Sequence, residues 1–139
     1  MADATERLVD TFREFGGDGL RDVWLFDQWA HQRLYVRDDV AAVVDDVDVD
    51  AVVDNERYGY VTRDTYETLY YAEYEFTVRG FSSFDQFRTF LDDGTTRVGV
   101  FASFDRDDAA PDFRGLYDAI SGIESDVPVA EFTPVDATD

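Results

Sequence analysis

The residues of this chain that are best suited to chemistry lie in the stretch VWLFDQWAHQRLYVRDDV, which starts at Val23. It holds both tryptophans and His31, the only histidine. A histidine can serve as an acid, a base or a pH-sensitive group, and the indole of Trp29 in a turn needs a partner to cover it. The alternative is that His31 is a strand-end residue bonded to backbone and that this stretch is scaffold.

A second group, six tyrosines interleaved with two arginines, lies further along the chain. It comprises Arg57, Tyr58, Tyr60, Arg63, Tyr66, Tyr70, Tyr71 and Tyr74. Aromatic rings and guanidinium groups attract each other, and both are enriched at interfaces. We therefore predict a ligand or partner surface formed by this group with Trp29 and His31. Alternatively, the tyrosines replace large aliphatic side chains at the edge of a salt-adapted core.

The sequence does not match the residue types that known motifs for metal binding and catalysis require. DVDVDAVVDNER places acids at Asp46, Asp48 and Asp50 as an EF-hand loop would, but Ala51 stands where glycine is needed and Arg57 where glutamate is needed. The chain has no cysteine, no lysine and no G-x-S-x-G, so a catalytic triad is disfavoured. We predict no metal, no cofactor and no catalytic residue; an enzyme would depend on carboxylates and His31.

The charge balance indicates adaptation to the solvent and says little about function. There are 32 acidic and 12 basic residues, and every basic residue is arginine. A net charge of −20 causes self-repulsion that concentrated salt screens. This composition is typical of an extreme halophile, and within it acidity neither excludes nor indicates a charged partner. The acidic amino terminus and the lack of a long apolar run predict a cytoplasmic protein without a membrane span.

Apolar spacing predicts the elements that must position these residues. The first half contains a helix over residues 4–15 and a hairpin made of RDVWLF and HQRLYVR with Leu34 and Val36 on one face. Valines such as Val47 and Val53 then predict two short helices, in preference to one helix bent at Val47 to Asp50. The second half contains a strand from Tyr74, an ambiguous segment at residues 82–92 assigned as a strand, the strand TRVGVFASFD, and a helix from Pro111 to Gly122.

Together these elements predict a single α+β domain over residues 1–139. One antiparallel sheet of about five strands carries the helices, in the order αββααβββα. A short edge strand is predicted around Val129 to Phe132, followed by an acidic mobile tail at about residues 133–139.

Two stretches carry a resemblance to known proteins. LRDVWLFDQWAHQRLYVRDDV and RVGVFASFD are similar to those of small acidic haloarchaeal proteins of unknown function, in which a hairpin ending in an R-D-D-V-like segment precedes a helix. The element order also resembles the profilin-like arrangement of roadblock and PAS-related modules. This resemblance implies a fold and leaves the function open.

Two functions are therefore weighed from different classes. The first is a non-enzymatic regulatory or interaction domain that forms a homo-oligomer or binds a protein through its sheet edge and tyrosines. The second is a sensor that holds a small apolar or aromatic ligand between the sheet and the helices. A nucleic-acid partner is disfavoured because the arginines are spread evenly from Arg7 to Arg114.

Overall fold

Five antiparallel strands form one sheet, and helices cover both of its faces. The computed structural model describes residues 3–44, 49–69, 72–106 and 111–134, with residues 60–62 and 66 described by their backbone alone. The strands are β1 (Leu20–Phe26), β2 (His31–Val36), β3 (Phe76–Gly80), β4 (Phe84–Asp92) and β5 (Arg97–Asp105). The helices are α1 (Ala4–Gly16), α2 (Asp38–Val44), α3 (Val49–Leu69) and α4 (Phe113–Asp126). The predicted class and order αββααβββα are confirmed.

The strands lie in the order β2-β1-β5-β4-β3, so β2 and β3 form the two edges. Segment 82–92, whose spacing allowed a helix, is the strand β4. It pairs with β5 on one side and β3 on the other. Backbone pairing on both sides stabilises an extended chain here and outweighs the local helical spacing, as tertiary context commonly does.

The larger core lies between the sheet and the helices α1 and α4. Helix α1 presents Leu8 and Phe12, both fully buried, and Asp3 caps it by accepting a hydrogen bond from the Glu6 backbone at 2.8 Å. Strand β5 presents Val98, Val100, Ala102 and Phe104 to the same core, as its alternation predicted. Burial of these side chains is the main stabilising contribution to the fold.

A smaller core lies on the opposite face, under α2 and α3. Trp24, Phe26 and Phe101 come from the sheet, and Val53 comes from α3. The rings of Trp24 and Phe101 are parallel within 3°, with centroids 5.9 Å apart. The first hairpin strand is thus buried on both faces, as predicted. Val23 and Leu25 belong to the larger core, whereas Trp24 and Phe26 belong to the smaller one.

A bulge in the hairpin corrects one predicted face. Val23 pairs with Tyr35 and Trp24 with Arg33, so Leu34 is an extra residue on β2. Since an inserted residue reverses the alternation beyond it, Leu34 and Tyr35 pack against the larger core while Val36 packs against the smaller one. The prediction that Leu34 and Val36 share a face is wrong.

Three element boundaries also differ from the prediction. The second valine-lined helix is not short, since α3 continues to Leu69. Helix α4 passes Gly122 because Ile123, one residue later, is buried in the core. The predicted edge strand at Val129–Phe132 is a 3-10 helix whose two end residues are buried against α1 and the sheet. Val47 and most of the tail, residues 135–139, lie outside the described residues.

None of the helices in the described part of the chain combines the length and apolar composition that a membrane span requires.

Candidate functional site

The predicted arginines hold α3 in place. Arg57 donates from Nε to the carbonyl oxygen of Asp27 at 2.7 Å and from Nη1 to Asp54 at 2.7 Å, so it ties α3 to the turn of the β1–β2 hairpin. Arg63 donates to Asp92 at the end of β4 at 2.9 Å. Both guanidinium groups are used to attach a helix to the sheet, which favours a structural role for them.

The centre of α3 is attached by a buried ion-pair network that the sequence did not indicate. Glu56 is 2% exposed and accepts hydrogen bonds from Arg79 on β3 and, at 3.3 Å, from Arg88 on β4. Arg88 also donates to Thr77 at 3.2 Å. A β-carbon at Gly59 would lie 2.8 Å from the Arg88 guanidinium, so glycine lets the helix backbone approach the sheet here.

Two of the predicted tyrosines have described side chains, and their surroundings differ. Tyr58 is 70% exposed on the outer side of α3. Tyr74 is half-buried, hydrogen-bonded to Thr77, with its ring 6.0 Å from that of Phe90. The side chains of Tyr60 and Tyr66, and both Tyr70 and Tyr71, lie outside the described residues. A shared surface for the whole predicted group therefore stays a prediction.

Trp29 and His31 differ sharply in exposure. Trp29 is 86% exposed in the hairpin turn, which Asp27 closes by accepting from the backbone nitrogens of Trp29 and Ala30, both at 2.8 Å. His31 begins β2, with its side chain 19% exposed and its Nδ1 3.9 Å from the Asp50 carboxylate. The fold thus brings the turn, His31 and the first half of α3 together, while Arg63 and Tyr74 lie elsewhere.

One partly enclosed concave feature among the described residues was not predicted residue by residue. A cavity of about 210 Å³ lies between the sheet and helices α2 and α3, and we call it the inter-layer cavity. It is lined by Arg21, Asp22, Trp24, Val40, Val43, Val44, Val49, Val52, Phe84, Gln86, Phe101 and Ser103. Its position is the one expected for a ligand held between sheet and helices.

The apolar inter-layer cavity has a polar wall formed at the start of β1. Asp22 accepts hydrogen bonds through Oδ1 from the backbone nitrogen and the hydroxyl of Ser103, at 2.9 and 2.7 Å. Beside it, Arg21 lies over the Phe84 ring and 3.6 Å from Asp105. The Arg21 Nε atom is buried and has no hydrogen-bond partner among the described residues, although buried polar groups are almost always paired.

Burial raises the pKa of the Asp22 carboxyl group above its ordinary value of 3.8, and the Ser103 hydrogen bonds only partly oppose this effect. Because the folded-state pKa is the higher one, Asp22 favours the folded state below the ordinary pKa and this contribution is lost as pH rises through the folded-state pKa. We therefore expect Asp22→Asn to be more stable than the unmodified protein at neutral pH. The free-energy difference should shrink in acid, as measured by denaturant unfolding at both pH values.

Asp105→Asn is a control of opposite sign. Hydrogen bonds from Arg37 lower the pKa of Asp105, so its contribution is present above the ordinary pKa and is lost as pH falls through the folded-state value. This variant should be less stable than the unmodified protein at neutral pH. If both variants shifted stability in the same direction at neutral pH, the burial of the Asp22 charge would not be the cause.

A sequence signal for this wall existed. Arg21 and Asp22 are the two charged residues of the first strand, and an acid within a strand buried on both faces must find a partner. Its partner Ser103 lies 81 positions away, and only strand pairing between β1 and β5 brings the two together.

Comparisons with known proteins give a family and no activity. No curated protein matches the chain in sequence. Among solved structures, the chain is similar to the gliding protein MglB from Thermus thermophilus, with 14% sequence identity and a TM-score of 0.49, over 91% of this chain and 95% of that one. The model of one family, described as a domain of unknown function (DUF7522), matches residues 6–124, and the chain therefore belongs to that family.

Proposed function

We propose that this chain is a non-enzymatic interaction domain that forms dimers through the edge strand β3 and the neighbouring surface of α3. The observation that carries the proposal is an apolar edge. Val78 is 38% exposed and Phe81 is 46% exposed, and no described strand pairs with the outer side of β3. An open edge of this kind is a template for pairing with another chain.

The charge distribution supports the same surface. The segment from Phe76 to Phe81, FTVRGF, contains no acidic residue in a chain with 32 of them. Its one basic residue, Arg79, is paired with Glu56 of α3. Two copies can therefore approach along β3 with little of the repulsion that the net charge imposes elsewhere. The opposite edge, β2, also lacks acids but carries no large exposed apolar side chain among those described.

Light scattering in concentrated salt, roughly 2–4 M so that charge is screened, tests this proposal. We expect twice the chain mass of 15.9 kDa for the unmodified protein and the single chain mass for Val78→Glu. The matched control is Val43→Glu, which places the same charge on an exposed valine of α2 and should leave the dimer intact. A monomeric unmodified protein, or a Val78→Glu variant that remains dimeric, would contradict the proposal.

We also propose that the domain works in the cytoplasm of a salt-adapted organism. The excess of acids over arginines and the absence of lysine support this. Carboxylates on the surface keep a protein soluble where salt screens their repulsion.

A second candidate function is a small-ligand sensor, and the inter-layer cavity favours it. The cavity occupies the interface between the sheet and helices α2 and α3, and it combines apolar walls with a few polar groups, as ligand sites do. Ligand binding there is compatible with dimer formation through β3, because the lining residues do not include Val78 or Phe81.

A further inference from the structure

We propose that the inter-layer cavity binds a small neutral aromatic molecule carrying one hydroxyl group, a compound of the phenol type. This inference rests on the second candidate function and names its ligand class. It is independent of whether β3 mediates dimers. Three features of the cavity carry it: its size, its aromatic lining and its pair of oppositely charged polar groups.

The size of the inter-layer cavity limits the ligand to about one ring. An apolar protein cavity of about 150 Å³ is known to hold benzene, and this cavity measures about 210 Å³. The difference leaves room for one small substituent on a six-membered ring. Typical sites for drug-sized ligands start at about 300 Å³, so this volume is closer to that of a small ring compound.

The wall of the cavity favours an aromatic ligand. Trp24 and Phe101 line it from the sheet, with their rings parallel and stacked on each other. The opposite side, from α2 and α3, is lined by the five valines Val40, Val43, Val44, Val49 and Val52. An aromatic ring can pack against the exposed parts of the two rings while the branched aliphatic side chains contact its other side.

The polar wall selects for a hydroxyl group. Arg21 lines the cavity, and its guanidinium group carries five N–H donors. Asp22, next to it in the chain, supplies an acceptor. A hydroxyl can accept from Arg21 and donate to Asp22 at the same time, which neither a carboxylate nor an ammonium group can do.

The two charges also disfavour charged ligands. A carboxylate in the cavity would be attracted to Arg21 but repelled by Asp22, and an ammonium group would meet the reverse situation. The net charge of −20 adds a general penalty for anions. A neutral aromatic alcohol satisfies both side chains without adding a buried charge.

Fluorine NMR with three probes tests the inference on the full chain in concentrated salt. The probes are 4-fluorophenol, fluorobenzene, which lacks the hydroxyl, and 4-fluorobenzoate, which carries a charge. We expect saturable line broadening and shift for 4-fluorophenol, with at least a tenfold weaker affinity for the other two. No binding of 4-fluorophenol, or equal binding of all three probes, would overturn the inference.

Two variants locate the binding. Val52→Phe fills the inter-layer cavity and should weaken 4-fluorophenol binding at least tenfold, whereas the matched Val9→Phe on α1, on the opposite side of the sheet, should not change it. Arg21→Met keeps an unbranched apolar stem but removes the guanidinium donors, so it should weaken 4-fluorophenol binding about tenfold and leave fluorobenzene binding unchanged. Circular dichroism establishes that each variant is folded. Unchanged 4-fluorophenol binding in folded Arg21→Met would exclude the proposed contact, and light scattering of the same samples reports separately on the dimer.

Discussion

Replacing Glu56 by alanine is expected to destabilise the protein by about 3–5 kcal/mol, the range for removing one partner of a buried ion pair. Glu56 accepts from both Arg79 and Arg88 at the interface between α3 and the sheet. Without it, two guanidinium groups would remain in a poorly hydrated layer with no carboxylate between them. The free energy of unfolding, measured with denaturant in concentrated salt, should fall by this amount while the larger core stays intact.

Asp54→Ala is the matched control for this change. Asp54 is on the same helix, pairs with Arg57 at 2.7 Å, and is largely exposed. An exposed pair contributes roughly 0–1 kcal/mol. This variant removes the same charge as Glu56→Ala but should lower the free energy of unfolding much less. Equal losses in the two variants would show that net charge, and not the buried network, determines the stability of α3.

Gly99→Ala should be the second most disruptive substitution, at about 3 kcal/mol, the upper end for overpacking a core. A β-carbon at this position would lie 2.1 Å from the Phe26 ring, which is fully buried. Phe26 cannot move away easily because its ring contacts those of Phe90 and Phe101. Thermal or denaturant unfolding should show the loss, with altered near-ultraviolet circular dichroism from Trp24, whose ring neighbours Phe101.

Gly122→Ala provides a control with the opposite sign. This glycine lies within α4, and an added β-carbon would have no neighbour within 4 Å among the atoms described. Alanine is favoured over glycine in a helix interior by about 1 kcal/mol, so the variant should be slightly more stable than the unmodified protein. A loss at Gly122 as large as that at Gly99 would point to a general intolerance of substitution and not to the Phe26 contact.

These contacts show how the two helical layers differ, α1 with α4 on one face of the sheet and α2 with α3 on the other. Helices α1 and α4 are held to the sheet by apolar burial, whereas the described side chains of α3 hold it through Glu56 and arginines, together with apolar contacts from Val49, Val52 and Val53. Because this layer is attached through ion pairs and lies next to a cavity, a ligand bound there could alter α3 without unfolding the larger core. This arrangement connects the proposed ligand site to the proposed interaction surface, because Glu56 on α3 contacts Arg79 on β3.

Periodicity predicted most of the fold from the sequence. The alternation in β5 placed Val98, Val100, Ala102 and Phe104 in one core, and the spacing in α1 placed Leu8 and Phe12 against them. These predictions succeeded because each depends on local geometry, two residues per repeat in a strand and 3.6 in a helix. The same logic failed at Leu34, since a bulge arises from how two strands pair and leaves no mark in the spacing of one strand.

No local pattern in the sequence predicts the residues that line the inter-layer cavity. The sensor hypothesis places a ligand between the sheet and the helices, but it does not point to Asp22, Arg21 or Ser103. The tyrosines and arginines predict a ligand or partner surface from residue type alone. In the structure, Arg57 and Arg63 attach α3 to its surroundings. Residue type alone does not separate an arginine that binds a partner from one that pairs with Glu or Asp in the same chain.

The sequence by itself determined the α+β class, the order of the elements, the two-sided burial of β1 and the strongly acidic surface, because composition and apolar period act locally. Only the tertiary structure decided the length of α3, the pairing of Glu56 with two arginines from different strands, and the inter-layer cavity with its polar wall. The physical reason is sequence distance: Asp22 and Ser103 are 81 positions apart, and no local pattern reports which distant side chains a folded sheet will place in contact.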